Sequence, residues 1–416
     1  MSSISRRTFL ALSAGLPALA AGLPGLTLAA HADARTQQSR TLRVRPGGHD
    51  GGFDPWLEII GDAFRHNARE VSRLAGGRPI LAVVKNNAYG MGDSIVGPLL
   101  ASCREIGGVA CVRPAEALAM RTAGVRKPIL LMSETNEDDG VELARHDVTL
   151  SCWLDDAAER LERVARKARK TVSVQYYVDT GMNREGMPWR RAIPWMQQIA
   201  QRRGIRVDGT YQMFVHELEF NRVQLQRFTE LIDEAKARGV RLGTLHAAPT
   251  FELYRMPEAH LDMVRVGNAL FGADPGPDYR SAATLQPVFR LKARVVRVER
   301  LEPGESASFR RSFQPHTPTS IALLPVGHTD GYPATAGGTC EVLIGGRRYP
   351  VVTGGVASAH RIVDLGADPA VRVGDEATLI GPEDAAITPH EVATRTKVGF
   401  YAMITKFSAL LPRRQV

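Results

Sequence analysis

Short apolar runs alternate with charged, amphipathic stretches from about residue 50 to residue 275, and this regularity limits the fold more than any other feature of the chain. The apolar runs fall at 80–84, 108–112, 129–132, 149–153, 172–178, 207–213, 241–245 and 264–270. Helix-like segments lie between them, among them 116–123, 157–168, 189–202 and 221–238. Strand, helix and strand in succession imply parallel strands joined by helical crossovers. Eight such units close most simply into a (β/α)8 TIM-type barrel. A doubly wound open sheet is the competing architecture. The Gly-rich fingerprint expected after its first strand is missing here.

The texture changes after Pro277. Runs at 288–298, 320–324, 340–344, 348–353, 360–365 and 376–380 are separated by Pro, Gly and Asp, and helical periodicity is weak until about 389–394. The expected organisation is a barrel over 50–277 and a mostly β C-terminal domain over 278–416.

Residues 1–34 stand apart. Ser5-Arg6-Arg7-Thr8-Phe9-Leu10 precedes an apolar stretch at 11–30 that Pro17, Pro24 and several glycines interrupt. Paired arginines before a weakly apolar run make a twin-arginine export signal, and the breaks argue against a permanent span. Ala30-His31-Ala32 and Ala32-Asp33-Ala34 both offer small-residue cleavage sites. About 380 residues then remain, enough for two sizeable cores. The net charge of +9 is scattered over short pairs such as Arg202-Arg203, Arg310-Arg311 and Arg413-Arg414. That is a solvated basic surface, not a nucleic-acid stripe with interleaved aromatics. No other run suits a membrane span. Cys103, Cys111, Cys152 and Cys340 show no close metal-ligand spacing and no disulfide framework.

Chemistry in a barrel collects at the carboxyl ends of its strands. The first strand ends in Ala82-Val83-Val84-Lys85-Asn86-Asn87-Ala88-Tyr89-Gly90. An ammonium against an apolar wall loses hydration and becomes a nucleophilic amine, able to form a Schiff base with an aldehyde. A solvated strand end is the plainer reading of a lone lysine. The fifth strand delivers Asp179-Thr180-Gly181-Met182-Asn183-Arg184, where Arg184 can pair with a phenolate or carboxylate or stay a surface arginine. Thr250 and the backbone near Gly267 and Asn268 suit a phosphate. Arg265 lies between two valines and needs a partner there: a core carboxylate or a pyridine nitrogen.

These segments, with 82–92, 178–186, 224–228, 246–250, 262–272, 285–289, 327–333 and 401–414 in order, resemble the alanine racemases, fold-type III pyridoxal phosphate enzymes. The resemblance runs from about residue 50 to the end. It implies pyridoxal 5'-phosphate as cofactor, an amino acid as substrate and a head-to-tail homodimer. It implies that Lys85 carries the cofactor and removes one α-proton, that Tyr89, Arg184 and Arg265 contact it, and that Thr250, Gly267, Asn268 and Tyr401 hold its phosphate. Export in the folded state suits an enzyme that must take up a cytoplasmic cofactor first.

The chain also departs from the family. Racemisation needs proton carriers on opposite faces of the substrate, and the family's second carrier is a tyrosine from the partner's β domain. Phe309 stands at that position. Val356-Ala357-Ser358-Ala359 replaces the family's Val-Cys-Met-Asp, Met213 stands for a histidine, and His328 for a tyrosine. The expectation is an alanine racemase-like enzyme in which His328, or a histidine such as His360, serves as a second base. A pyridoxal enzyme working on one face (an aldolase, dehydratase or decarboxylase) and a non-catalytic pyridoxal-binding protein are the alternatives.

Replacing Arg6 and Arg7 by lysine is expected to leave folded precursor in the cytoplasm, as fractionation would show; unchanged export would mean that the signal is misread.

Overall fold

The computed structural model describes Gly52 and residues 55–352, 357–367 and 369–416. The twin-arginine segment and Val356 lie outside the described residues.

The first strand, β1 (Trp56–Ile59), is not a barrel strand. The barrel follows it: β2 (Ile80–Val83), β3 (Ile106–Cys111), β4 (Ile129–Leu131), β5 (Val148–Cys152), β6 (Val172–Asp179) with the two-residue β7 (Met187–Pro188) beside its end, β8 (Ile205–Tyr211), β9 (Thr244–His246) and β10 (Val264–Val266). Neighbouring barrel strands are parallel, and β10 returns to β2 with Val264 opposite Ile80. A parallel bridge between His246 and Met263 joins β9 to β10. Asp262 adds to this seam, its N–H donating to the Leu245 carbonyl at 3.1 Å and its carboxylate accepting the Leu245 N–H at 2.9 Å. The eight-unit expectation therefore holds, with β9 and β10 shorter than the apolar runs that mark them.

β2, β4 and β5 are buried at every position, as parallel strands covered on both sides should be. The helix Ala157–Ala168 buries Ala157, Leu161, Val164, Ala165 and Ala168, a stripe at helical spacing, and also Arg160, which pairs with Glu134.

The C-terminal strands are β11 (Phe289–Arg294), β12 (Arg297–Leu301), β13 (Thr319–Leu324), β14 (Glu341–Ile344), β15 (Arg347–Pro350), β16 (Arg361–Gly366), β17 (Glu376–Ile380) and β18 (Arg413–Gln415). One sheet runs β15-β14-β17-β11-β1-β18 and another β12-β13-β16. β1 lies antiparallel to β11 and parallel to β18. This differs from the sequence-based division, which placed residues 50–277 together in the barrel. The reason is local: Trp56 lies under Lys292, Arg294 and Arg414, and the buried Glu58 pairs with Arg290, Lys292 and Arg414.

The C-terminal tail returns to the barrel mouth beside Lys85. Arg413, partly buried, donates to the Gly90 carbonyl at 2.9 and 2.8 Å and to the Ser408 carbonyl at 2.8 Å. Gly90 adopts φ +83, and a Cβ there would strike the Ile404 carbonyl. Gly90→Ala combines left-handed strain with an overlap against backbone and should cost about 2–4 kcal/mol, read as a lower melting temperature. An unchanged melting temperature would show that the tail adjusts freely.

Candidate active site

Lys85 follows the end of β2, and the chain then makes an unusual turn. Asn86, Asn87, Ala88 and Tyr89 all have positive φ, at 57°, 53°, 49° and 54°. Left-handed backbone costs a non-glycine residue about 1–2 kcal/mol, less for asparagine. Local hydrogen bonds hold it. Glu116 accepts the Asn87 N–H at 3.2 Å and the Val112 and Arg113 N–H groups at 3.2 and 3.1 Å. Asn87 Oδ1 accepts the Asp93 N–H, and Asn86 Nδ2 donates to the Tyr401 hydroxyl at 2.8 Å.

The Lys85 ammonium lies 6.0 Å from the centre of the Tyr401 ring. Burial pushes its pKa down, and the positive charges of Arg184 and Arg265 push it further. More of this amine is therefore neutral at a given pH than on an exposed lysine. Tyr89 stands behind it, fully desolvated and tilted against Phe271 at 4.5 Å, so burial keeps its phenol protonated.

Arg265 on β10 is buried without an ion-pair partner among the described residues. Its Nη1 donates to His246 Nδ1 at 2.9 Å, and its Nη2 donates to the Gln212 carbonyl at 2.9 Å and lies 3.3 Å from Met213 Sδ. A guanidinium cannot accept a hydrogen bond, so His246 Nδ1 must, and its Nε2 then carries the hydrogen toward Gln175 Oε1 at 2.8 Å. Burial, with Arg265 beside it, pushes the His246 pKa far down and keeps the ring neutral. Tyr177, Tyr211 and His246 form a stack, with centroids 4.5 and 4.9 Å apart.

Lys85, Tyr89, Arg184, Thr250, Arg265, Gly267, Asn268 and Tyr401, chosen from sequence, line one cavity of about 700 Å³. Asp179 shapes the loop bearing Arg184 by accepting the N–H groups of Gly181, Met182 and Asn183. Thr250 Oγ1 accepts the Ala269 N–H at 3.3 Å. A Cβ on Gly267 would overlap the Tyr89 hydroxyl, so that backbone must stay bare.

His328 does not line this cavity. It is exposed, with Nδ1 3.2 Å from the Ala357 carbonyl, on a turn that Asp330 fixes by accepting the Gly327 N–H. Within one chain this turn does not bring the imidazole to the Lys85 cavity. His360 and Phe309 line a separate cavity of about 500 Å³. Sequence reasoning missed Tyr177, Tyr211, His216, His246 and Gln175. Gln175 and Tyr177 share one face of β6, a period-two signal that was available.

The N-terminal domain model of alanine racemase matches residues 59–275, and the C-terminal domain model matches residues 288–415. The chain belongs to the alanine racemase family. Alanine racemase of Carboxydothermus hydrogenoformans is 32% identical over 369 residues, covering 86% of this chain and 98% of that protein. The alanine racemase of Desulfovibrio desulfuricans is also 32% identical, over 367 residues, covering 86% of this chain and 97% of its own. The solved alanine racemase of Streptomyces coelicolor A3(2) superposes with a TM-score of 0.79 at 28% identity, covering 88% of this chain and 98% of its own. The fold is shared as well with a histidine racemase from Leuconostoc mesenteroides, at a TM-score of 0.80 and 24% identity, over 88% of this chain and 99% of that one.

The protein is thus a pyridoxal phosphate-dependent amino-acid racemase of the alanine racemase type. The cavity fits that cofactor: a desolvated amine, a buried guanidinium without a carboxylate, and a bare backbone beside hydroxyls. Lys85 would hold its aldehyde carbon, Arg265 its ring nitrogen, and Thr250, Gly267, Asn268 and Tyr401 its phosphate.

Borohydride reduction of the loaded protein, followed by peptide mapping, should place the pyridoxyl label on Lys85. Arg184→Gln removes a neighbouring positive charge and should move the labelling of Lys85 by an acylating reagent, in cofactor-free protein, to higher pH. A label on another lysine, or a shift to lower pH, would contradict this account of the site.

Proposed function

We propose that the enzyme interconverts the L and D forms of alanine or a related small amino acid. We further propose that it works as a head-to-tail homodimer, exported to the periplasm on its twin-arginine signal. The observation that carries the reaction is the Lys85 amine, desolvated at the end of β2 in a cavity it shares with Arg184 and Arg265. Bound pyridoxal phosphate would acidify the hydrogen on the substrate's α-carbon. The neutral Lys85 Nζ takes or returns that proton on one face. Arg184, on a loop set by Asp179, is placed to hold a substrate carboxylate. Arg265 is kept from drifting by His246 and the Gln212 carbonyl, and so fixes the ring position.

The dimer is supported by the β domain. Phe309 is 67% exposed on a turn where Ser308, Arg310 and Arg311 have φ of 71°, 58° and 53°. A large apolar ring held out on strained backbone is suited to another subunit's surface. In the proposed dimer this residue would lie opposite the partner's lysine. Of the two histidines proposed as a replacement base, His360 shares a cavity with Phe309, whereas His328 does not line it. His360 is therefore the better placed.

Phe309 also favours a second reading. A phenyl ring carries no proton, so Lys85 alone would serve chemistry on one face. Chiral analysis of products from alanine and a panel of amino acids, run in deuterated water, separates the readings. Racemisation yields both enantiomers with α-deuterium; one-face chemistry yields α-deuterium with retention, or a new product. General acid–base groups contribute about 10²–10⁴-fold. Phe309→Tyr should thus raise alanine inversion by up to about that factor, unless another base already serves. Brisk inversion by the unmodified enzyme that His360→Ala leaves intact would reject the histidine substitute.

A further inference from the structure

We propose that His216, oriented by Glu252, is a further ligand for the cofactor's phosphate; this rests on the cofactor reading above. His216 lies in the loop after β8 and lines the same cavity as Lys85. Its Nδ1 is 2.9 and 3.1 Å from the two carboxylate oxygens of Glu252, whose side chain is fully buried. Asn221 Nδ2 donates to the same carboxylate at 2.7 Å. A buried carboxylate stays charged only where donors meet it. His216 Nδ1 therefore carries a hydrogen and gives it to Glu252. That leaves Nε2 for the cavity, on a side chain that is still 42% exposed.

The position of the pair points to the phosphate. Glu252 stands two residues beyond Thr250, in the helix Thr250–Arg255. The imidazole meets the edge of Phe251, between them in sequence, at 5.4 Å. His216 has φ +67, and its loop is tied down by the Val215 N–H donating to Gln224 Oε1 at 3.0 Å. The other basic groups lining the cavity already have roles: Lys85 as the amine, Arg265 against His246, Arg184 beside Glu185. Thr250, Gly267, Asn268 and Tyr401 offer a phosphate neutral donors alone. With Glu252 at Nδ1 and a phosphate at Nε2, the imidazole would serve as a donor on both sides, and a hydrogen bond to a charged partner is the strong kind.

The test compares two ligands that differ only in the phosphate. Cofactor-free protein is titrated with pyridoxal 5'-phosphate and with pyridoxal, following the visible absorbance of the bound ligand. His216→Asn suits the left-handed backbone and removes the imidazole. It should raise the Kd for pyridoxal 5'-phosphate roughly 10- to 100-fold and leave that for pyridoxal unchanged. Glu252→Gln should act in the same direction, and His216→Lys should recover part of the loss. Melting curves establish that each variant is folded, and His216→Asn decides alone if Glu252→Gln is not. Equal weakening of both ligands, or of neither, would overturn the proposal. Failure of the unmodified protein to bind either ligand would instead overturn the cofactor reading, and this proposal with it.

Discussion

A guanidinium sits inside this barrel with no carboxylate to meet it. Arg265 is 4% exposed, and what touches it is a carbonyl, a thioether, a neutral imidazole and the face of Tyr211. An ion buried in this way costs several kcal/mol unless other groups compensate. The surroundings compensate in part and fix the rest of the site as they do so. His246 must stay neutral and accept from Arg265, so its other nitrogen must donate to Gln175, which ties β9 and β10 to β6. The stack of Tyr177, Tyr211 and His246 follows from the same demand for a flat, polarisable wall. Lys85 and Arg184, with Glu185 beside it, share the cavity with this unpaired guanidinium. A planar, anionic ligand completes it.

The second constraint is the left-handed turn after Lys85. Four successive non-glycine residues at positive φ would not persist on their own. Glu116 binds the turn from the barrel side, and the C-terminal tail binds it from the other through Arg413 and Tyr401. The β domain is thus part of the cofactor site in the same chain. β18, which carries Arg413, lies beside β1 in one sheet, so this anchor of the turn is itself tied into the β domain. Strain at Lys85 and assembly of the two sheets are one problem.

The barrel was legible because parallel strands buried on both faces leave continuous apolar runs, and eight of these recur in order. β1 was not legible. Four residues carry no periodicity, and the partners of Trp56 and Glu58 lie more than two hundred positions away, at Arg290, Lys292, Arg294 and Arg414. Most candidate cofactor residues could be picked out because strand ends converge in a barrel: Lys85, Tyr89, Arg184, Thr250, Gly267 and Asn268 follow barrel strands and Arg265 lies within β10, whereas Tyr401, in the helix Phe400–Ile404, came from the resemblance alone. Gln175 and His246 were harder. They act through Arg265, so nothing in their own neighbourhood announces the role. His328 is a related case: a motif fixes a position in the chain, whereas which cavity the side chain lines depends on how the turn at 327–332 is tied.

The difference between the two sides of the site has an energetic meaning. Groups on the cofactor side serve every reaction such a cofactor supports, and here they are complete within one chain. Inversion adds one demand, a proton carrier on the face away from Lys85. Without it the barrier to inversion rises by about 3–5 kcal/mol, while proton exchange on the Lys85 face is untouched. On the reading that Phe309 stands where the family has its second proton carrier, a change at that one position would separate exchange from inversion and leave the fold and cofactor binding intact. The phenyl ring keeps the shape of a tyrosine and its apolar surface, so a subunit contact made by the ring survives the loss of the hydroxyl. Restoring inversion then requires only a titratable group within reach of the same cavity. His360 lines the same cavity as Phe309 and meets that geometric condition.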